Sequence, residues 1–281
     1  MNDRLLDVDE LVVEYPARGF RAKPFRALHG VSLDILPRET VGLVGESGSG
    51  KTTLGRAVLG LAPVTGGTID FEGRDISNLP KSQRRALSSD IGVVFQDPYT
   101  SLNPAMTIQQ ILTEPLTVAK VPRAEAIQRV KELLDQVQLP GNAGGRLPRE
   151  FSGGQRQRVA IARALAHSPK LIVCDEPVSA LDLSTQARVL ALFLEIQERT
   201  GVAYLFISHD LDVVRHLSHR VAVMYQGEIV ESGDGAQVTG DPQHPYTKRL
   251  FLASPVADPE RQARRRAERK EFLLAQAGAG V

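Results

Sequence analysis

Gly45-Glu46-Ser47-Gly48-Ser49-Gly50-Lys51-Thr52-Thr53 fits the phosphate-loop pattern G-x-x-x-x-G-K-[ST] without departure. Thr40-Val41-Gly42-Leu43-Val44 before it is apolar and short enough for a buried strand, and Leu54-Gly55-Arg56-Ala57-Val58-Leu59 after it reads as the opening turns of a helix. Strand, loop and helix in that order are the setting the motif requires. The glycines let the backbone turn tightly, so that successive N–H groups face one anion. The helix N-terminus adds partial positive charge at the same spot. Lys51 is placed to reach the outer phosphates, and the Thr52 hydroxyl to serve as a ligand of Mg²⁺. The chain is expected to bind a nucleoside triphosphate.

A length of 281 residues allows one large domain, or one domain with lobes. With 42% hydrophobic and 24% charged residues, the composition is that of an ordinary globular protein. A formal net charge of +1 argues against nucleic-acid binding driven by overall charge. Cys174 is the one cysteine, which forbids an internal disulfide and fits a reducing compartment. No apolar run approaches a membrane span and Met1 is not followed by a signal-peptide pattern, so any membrane role is expected to run through a partner.

Along the chain, Leu11–Tyr15 and Val31–Ile35 read as strands, separated by a basic loop between Pro16 and Pro24. Tyr15 either stacks on an adenine or packs within its sheet. Gly66–Gly73 reads as turn, strand and turn, and Ile91–Phe95 as a second buried strand with Gln96 leaving its end. Ligands in open α/β sheets bind at such carboxyl ends, so Gln96 is either a Mg²⁺ or water contact or, as a bare glutamine more commonly is, a purely structural side chain. Prolines then punctuate a stretch with two helical patterns, Ile108–Val118 and Arg123–Val137, expected to form a helical lobe with a flexible connection at Gly141–Gly145.

Ser152-Gly153-Gly154-Gln155 opens a further helix, with Ser152 suited to the N-cap and the glycines allowing close approach of an anion. Lys170–Pro177 reads as an apolar strand ending in two acids, Asp175 and Glu176. Asp175 is positioned to hold Mg²⁺ opposite Thr52, and Glu176 to orient or deprotonate an attacking water. Cys174 reads as plain core. A helix runs from Asp182 or Ser184 to a glycine stop at Gly201, and Val202–Ile207 is another buried strand, ending in Ser208-His209-Asp210. His209 at that point is placed to donate to a terminal phosphate. Arg220–Val230 returns as strand, turn and strand through Gln226-Gly227.

Taken in that order, these features resemble the nucleotide-binding subunit of an ABC transporter over roughly residues 5–250. The resemblance implies an α/β phosphate-loop NTPase core with a mainly parallel sheet, an N-terminal antiparallel β subdomain and an inserted helical subdomain. It makes Gly45–Thr53 the Walker A motif, Gln96 the Q-loop, Phe151–Gln155 the signature and Leu171–Glu176 the Walker B strand with its catalytic glutamate. Ala180–Asp182 becomes the D-loop, His209 the switch histidine and Tyr15 the adenine-stacking residue. Phe151 stands where leucine is commonest across the superfamily. Catalysis is then expected of Glu176, His209, Lys51 and Gln96, and nucleotide contact of Tyr15, Gly45–Thr53, Ser152, Gly153, Gly154, Gln155 and Asp182. Thr52, Gln96 and Asp175 would hold the metal, with ATP and Mg²⁺ as the bound species.

Phe95-Gln96-Asp97-Pro98-Tyr99-Thr100-Ser101-Leu102-Asn103-Pro104, Asp175–Asp182 and Gly240-Asp241-Pro242-Gln243-His244-Pro245-Tyr246-Thr247 resemble the oligopeptide/dipeptide importer group, whose motifs nickel and other small-solute importers share. Many of that group carry a C-terminal cysteine cluster; this chain has none there, so no iron–sulfur centre is expected. The implied division is an ATP-binding domain over residues 1–241, its helical subdomain at about 98–157, and a C-terminal extension over 242–281 with a charged, solvated helix at Pro259–Phe272. The implied partners are a second ATP-binding subunit, membrane-spanning permeases and, indirectly, an extracytoplasmic solute-binding protein, on the cytoplasmic face of the inner membrane. The rival from another class is a soluble ABC ATPase acting on DNA or ribosomes. It usually carries two nucleotide domains, a long coiled-coil insertion or a zinc module, none of which is visible here.

Overall fold

The computed structural model describes residues 3–16, 24–97 and 101–253. The basic loop at 17–23, residues 98–100 of the Phe95–Pro104 stretch and the charged helix expected at Pro259–Phe272 lie outside the described residues.

Near-continuous apolar runs with no polar face belong in the interior of a parallel sheet. Three such runs are β3 (Thr40–Val44), β7 (Leu171–Asp175) and β8 (Ala203–Ile207). They join β6 (Ile91–Val94), β9 (Arg220–Tyr225) and β10 (Glu228–Asp234) in a six-stranded sheet of order β10-β9-β3-β8-β7-β6. All neighbours are parallel except the β9–β10 hairpin, which turns at Gln226-Gly227.

Beside it lies a four-stranded antiparallel sheet of order β2-β1-β4-β5: β1 (Leu6–Tyr15), β2 (Phe25–Ile35), β4 (Gly66–Phe71) and the two-residue β5 (Arg74–Asp75). The outer edge of β2 is met by the hairpin turn, where His29 N–H donates to Gly227 O at 2.9 Å. Gly66 and Gly67 belong to β4 rather than to a turn before it. A side chain on Gly67 would strike the carbonyls of Asp9 and Glu10, at the register shift that β1 makes there.

Between the sheets sits α1 (Lys51–Val58), which buries Leu54, Ala57 and Val58. A Cβ on its Gly55 would lie 2.8 Å from Ile207 Cδ1, so α1 packs closely over β8. A second core lies on the other side of the six-stranded sheet, where α6 (Leu183–Thr200) covers β7 and β8. The Phe193 ring meets Tyr204 and Phe206 edge-on at 5.4 and 5.5 Å, and the buried Tyr204 hydroxyl donates to Phe193 O at 3.1 Å. Aromatic edge-to-face pairs of this kind stabilise by about 0.5–1.5 kcal/mol beyond their buried area.

The remaining α-helices among the described residues are α2 (Lys81–Leu87), α3 (Ile108–Val118), α4 (Arg123–Gln136), α5 (Gly153–Ala164), α7 (Leu211–Leu217), α8 (Gly235–Gly240) and α9 (Pro245–Ala253). Thr107 caps α3 in a reciprocal box, accepting from Gln110 N–H at 3.3 Å while its own N–H donates to the Gln110 amide oxygen at 2.8 Å. The helical lobe, the parallel core and the antiparallel sheet that the sequence predicts are all present. Two expectations fail: the turn at Gly66-Gly67 and the flexible connection at Gly141–Gly145. Gly141–Gly145 forms a 3₁₀ turn with Ala143 and Gly144 buried, because the connection is pinned between α3 and α4; Ile108 N–H donates to Arg146 O just beyond it at 2.9 Å. Among the described residues no helix is long and apolar enough to cross a membrane.

The two sheets are tied by Arg220 on β9, whose guanidinium bonds both carboxylate oxygens of Asp34 on β2 at 3.0 and 3.1 Å and reaches Glu39 at 3.4 Å. Glu39 is buried and accepts Leu36 N–H through its other oxygen at 2.7 Å. Replacing Arg220 by Met should lower the free energy of unfolding by about 1–2 kcal/mol, measured by urea titration at pH 7. The variant's acid limb should also flatten. The Arg220 hydrogen bond holds the Asp34 carboxyl below its ordinary range, so the parent's gain is full above that range and fades as pH falls through the lowered value. Equal stability of the two chains would show that the bridge contributes nothing.

Candidate functional site

The phosphate loop sits at the carboxyl end of β3, where three glycines with positive φ shape it: Gly45 (153°), Gly48 (80°) and Gly50 (108°). At Gly45 a Cβ would lie 2.2 Å from Met224 O, and at Gly50 it would lie 2.8 Å from Leu28 Cδ2. The loop is thus wedged between β9 and β2, and only glycine fits there.

Lys51 begins α1 and its ammonium is buried. Nζ donates to the carbonyls of Gly45 and Glu46, each at 2.8 Å. Burial lowers its pKa, against the pull of Glu176, Asp175 and Glu46, which favour the charge. One residue on, Thr52 Oγ1 donates to Asp175 Oδ1 at 2.9 Å. Asp175 closes β7; burial raises its pKa and the neighbouring Glu176 carboxylate adds to the rise, while the Thr52 hydrogen bond opposes it. A carboxylate so placed is relieved by a cation. A hydroxyl and a carboxylate oxygen converging on one point are the hard-oxygen donors that Mg²⁺ takes. The residues present fit that ion.

Glu176 is the hub of the site. Gln96, just past β6, donates Nε2–H to Glu176 Oε2 at 3.1 Å, and His209 Nδ1, just past β8, lies 3.1 Å from the same oxygen. The parallel strands β6 and β8, which flank β7 in the order β8-β7-β6, therefore each deliver one polar side chain to the single carboxylate at the end of β7. Glu176 itself has φ 48°, uncommon for a non-glycine residue. Its N–H donates to Ile207 O at 3.0 Å, and its carbonyl accepts from the Ser179 hydroxyl at 3.0 Å. Such backbone strain persists where surrounding bonds over-determine it, and clusters at functional sites.

A second cluster forms at two helix N-termini. Ser152 caps α5 in a box with Gln155, accepting from Gln155 N–H at 3.4 Å and donating its own N–H to the Gln155 amide oxygen at 3.0 Å. Asp182 caps α6, accepting Thr185 N–H at 3.0 Å and the Ser184 hydroxyl at 2.7 Å. These bonds hold its carboxyl well below the usual range. A Cβ on Gly154 would lie 2.2 Å from Thr185 Cγ2, so the two helix starts touch. They flank an open cavity of about 390 Å³ lined by Ser152, Gly154, Gln155, Arg158, Thr185 and Arg188. With two arginines and a helix N-terminus at its wall, it suits an anion.

The structure thus brings Gly45–Thr53, Gln96, Asp175, Glu176 and His209 into one site, and Ser152–Gln155 and Asp182 into another. Tyr15 ends β1, half-buried and paired in register with the exposed Phe25 of β2. Cys174 is fully buried core. Sequence reasoning missed Arg188, and it missed the hydroxyl of Tyr246, which accepts Glu46 N–H at 3.0 Å from α9. A contact spanning 200 positions leaves no local signal.

Residues 28–179 match the model of the ABC transporter family. The chain is 51% identical over 263 residues to the glutathione import ATP-binding protein GsiA of Escherichia coli K12, covering 92% of this chain and 42% of that protein. It is also 51% identical over 265 residues to the protein of that name from Pectobacterium atrosepticum, with the same coverage. The chain spans less than half the length of these relatives. Among solved structures, cbiO1 of Clostridium perfringens, part of the ABC transporter complex cbiONQ, superposes with a TM-score of 0.76 at 27% identity, covering 89% of this chain and 96% of that one. The ATP-binding cassette MJ0796, in a dimeric post-hydrolysis state bound to ADP and Pi, superposes with a TM-score of 0.72 at 29% identity, covering 82% and 98%.

Both Gly48→Ala and Gly50→Ala place a side chain at positive φ, but nothing lies within 4 Å of the Gly48 position while Leu28 and Ala27 crowd Gly50. Gly48→Ala should therefore cost about 1 kcal/mol of unfolding free energy and Gly50→Ala about 2–3 kcal/mol. Denaturant titration of the two variants giving the reverse order would contradict the wedged geometry.

Proposed function

The chain belongs to the ABC transporter family, and from that premise we propose that it is the ATP-binding and ATP-hydrolysing subunit of an importer. It would power uptake of peptides or a similar small solute through membrane-spanning partners, from the cytoplasmic face of the inner membrane. The observation that carries the catalytic half of this reading is the Glu176 hub: one carboxylate held by Gln96 and His209 at 3.1 Å each, beside the Lys51–Thr52–Asp175 group.

In this reading the triphosphate lies along the phosphate loop, with Tyr15 against its adenine and the backbone amides of Gly48–Thr53 around its phosphates. Thr52 and Asp175 would hold Mg²⁺, with Gln96 at its rim; when bound, the ion neutralises charge on the outer phosphate oxygens. Glu176 orients the attacking water and accepts its proton. His209 and Lys51 stabilise charge on the phosphoryl group in transit. Because the loop and the Ser152–Gln155 cluster are two separate anion sites, we read each as half of a pocket completed by a second ATP-binding subunit, with Asp182 at the junction. Nucleotide would then join the dimer and hydrolysis release it. The dimeric MJ0796 cassette supports that arrangement.

The helical lobe, at about residues 98–157 in the domain reading, would pass the motion to the permeases. The cbiONQ membership of one structural relative supports a role beside membrane components. The peptide assignment rests on the Phe95–Pro104, Asp175–Asp182 and Gly240–Thr247 motifs and on the likeness to a glutathione import protein, glutathione being a tripeptide. An extracytoplasmic solute-binding protein would deliver the solute. No feature of the fold or the site favours a soluble ATPase acting on DNA or ribosomes.

Glu176→Gln keeps the shape of the hub and removes its base. It should lower ATP turnover at least about a hundredfold, leave Mg-ATP binding intact, and accumulate an ATP-dependent dimer measurable by size exclusion with light scattering. Turnover near that of the parent would remove Glu176 from the catalytic role.

A further inference from the structure

The Gln243–Thr247 stretch has no part in the mechanism above, yet the structure runs it from β10 directly to the nucleotide loop. Glu231 on β10 anchors its start, accepting Gln243 N–H at 2.7 Å and His244 N–H at 3.0 Å through its two oxygens. His244 Nδ1 then accepts Tyr246 N–H at 3.2 Å, which fixes the first turn of α9. The Tyr246 ring is 4% exposed and stacks against Tyr225 with centroids 4.2 Å apart. Its hydroxyl points at the loop and accepts Glu46 N–H at 3.0 Å.

That N–H belongs to the peptide unit whose carbonyl is Gly45 O, one of the two carbonyl acceptors for Lys51 Nζ. A single peptide is therefore gripped at both ends, by Tyr246 on its N–H and by Lys51 on its C=O. Gly45 has no Cβ to restrict rotation of this peptide, so its orientation depends on those two bonds. The other tie on this side of the loop is backbone to backbone, Gly227 N–H to Ser49 O at 2.9 Å, and does not reach the Gly45–Glu46 unit.

We propose that Tyr246 is a positioning residue for the nucleotide site: its hydroxyl locks the orientation of the Gly45–Glu46 peptide, and through that carbonyl the place of the Lys51 ammonium. The inference rests on the ATP-site reading given above. A free peptide would populate orientations in which the carbonyl turns from Lys51, and binding would have to select the competent one. Nucleotide affinity falls by the fraction so lost. The C-terminal segment thus becomes part of the ATP site without touching ATP.

Tyr246→Phe removes the hydroxyl and keeps the ring on Tyr225. In the full chain it should weaken Mg-ATP binding about three- to tenfold, the effect of one net hydrogen bond, read by displacement of N-methylanthraniloyl-ATP. The ATP KM should rise likewise, with kcat nearly unchanged and a melting temperature within a few degrees of the parent. A second measurement separates positioning from general loosening. In a Lys51→Met background the same change should alter nucleotide binding less than twofold, because the group being positioned is gone. Parent-like affinity in Tyr246→Phe, or an equal loss in both backgrounds, would overturn the proposal. Failure of the parent chain itself to bind or hydrolyse ATP would instead overturn the function proposed above.

Discussion

A buried ammonium has to be bonded on every side, and Lys51 imposes that requirement at the end of β3. Leaving such a charge unpaired away from water is prohibitive. Its three donors are met in part by carbonyls of its own loop, which can aim inward only because glycines allow the turn. The rest of the compensation is the field of Asp175 and Glu176 from the next strand but one. Glu176 in turn opposes the ionisation of Asp175, which the Thr52 hydroxyl eases. Loop, helix start and strand end are therefore one electrostatic unit, with Thr52 and Asp175 in it 123 positions apart. The parallel sheet is what registers them.

Glu176 extends the same unit to the neighbouring strands. Its left-handed backbone turns the side chain off the line of β7, toward the ends of β6 and β8, where Gln96 and His209 wait. Each of those two residues opens a connection into a different part of the fold: Gln96 into the helical lobe, and His209 into α7 and the β9–β10 hairpin. A change in what Glu176 binds is thereby felt by both.

Local chemistry was readable from the chain wherever a residue answers to its neighbours. The Ile108–Val118 periodicity marks its helix residue for residue, and Asp182 and Gly201 announce the cap and stop of α6, the latter at φ 71°. Continuous apolar runs located the central strands to within one residue. Glycines were the weak point, because the same residue serves flexibility and close packing. Gly141–Gly145 looked loose and is an ordered turn under α3 and α4; Gly66–Gly67 looked like a turn and is a bulged strand. Contacts made by topology alone were out of reach. Nothing near Tyr246 tells of Glu46, and nothing near Arg220 tells of Asp34, because each partner is brought in by the order of strands.

The antiparallel sheet has blunt margins. At one side β5 is two residues long and carries Arg74 and Asp75; at the other, β2 is already engaged by Gly227 at the hairpin turn. A margin like that shortens the row of bare amides onto which a neighbouring strand could zip. Adhesion by strand addition, which is hard to reverse, is discouraged by construction. Any association with another molecule is left to side-chain surfaces, where contacts form and release more readily than a strand ladder does.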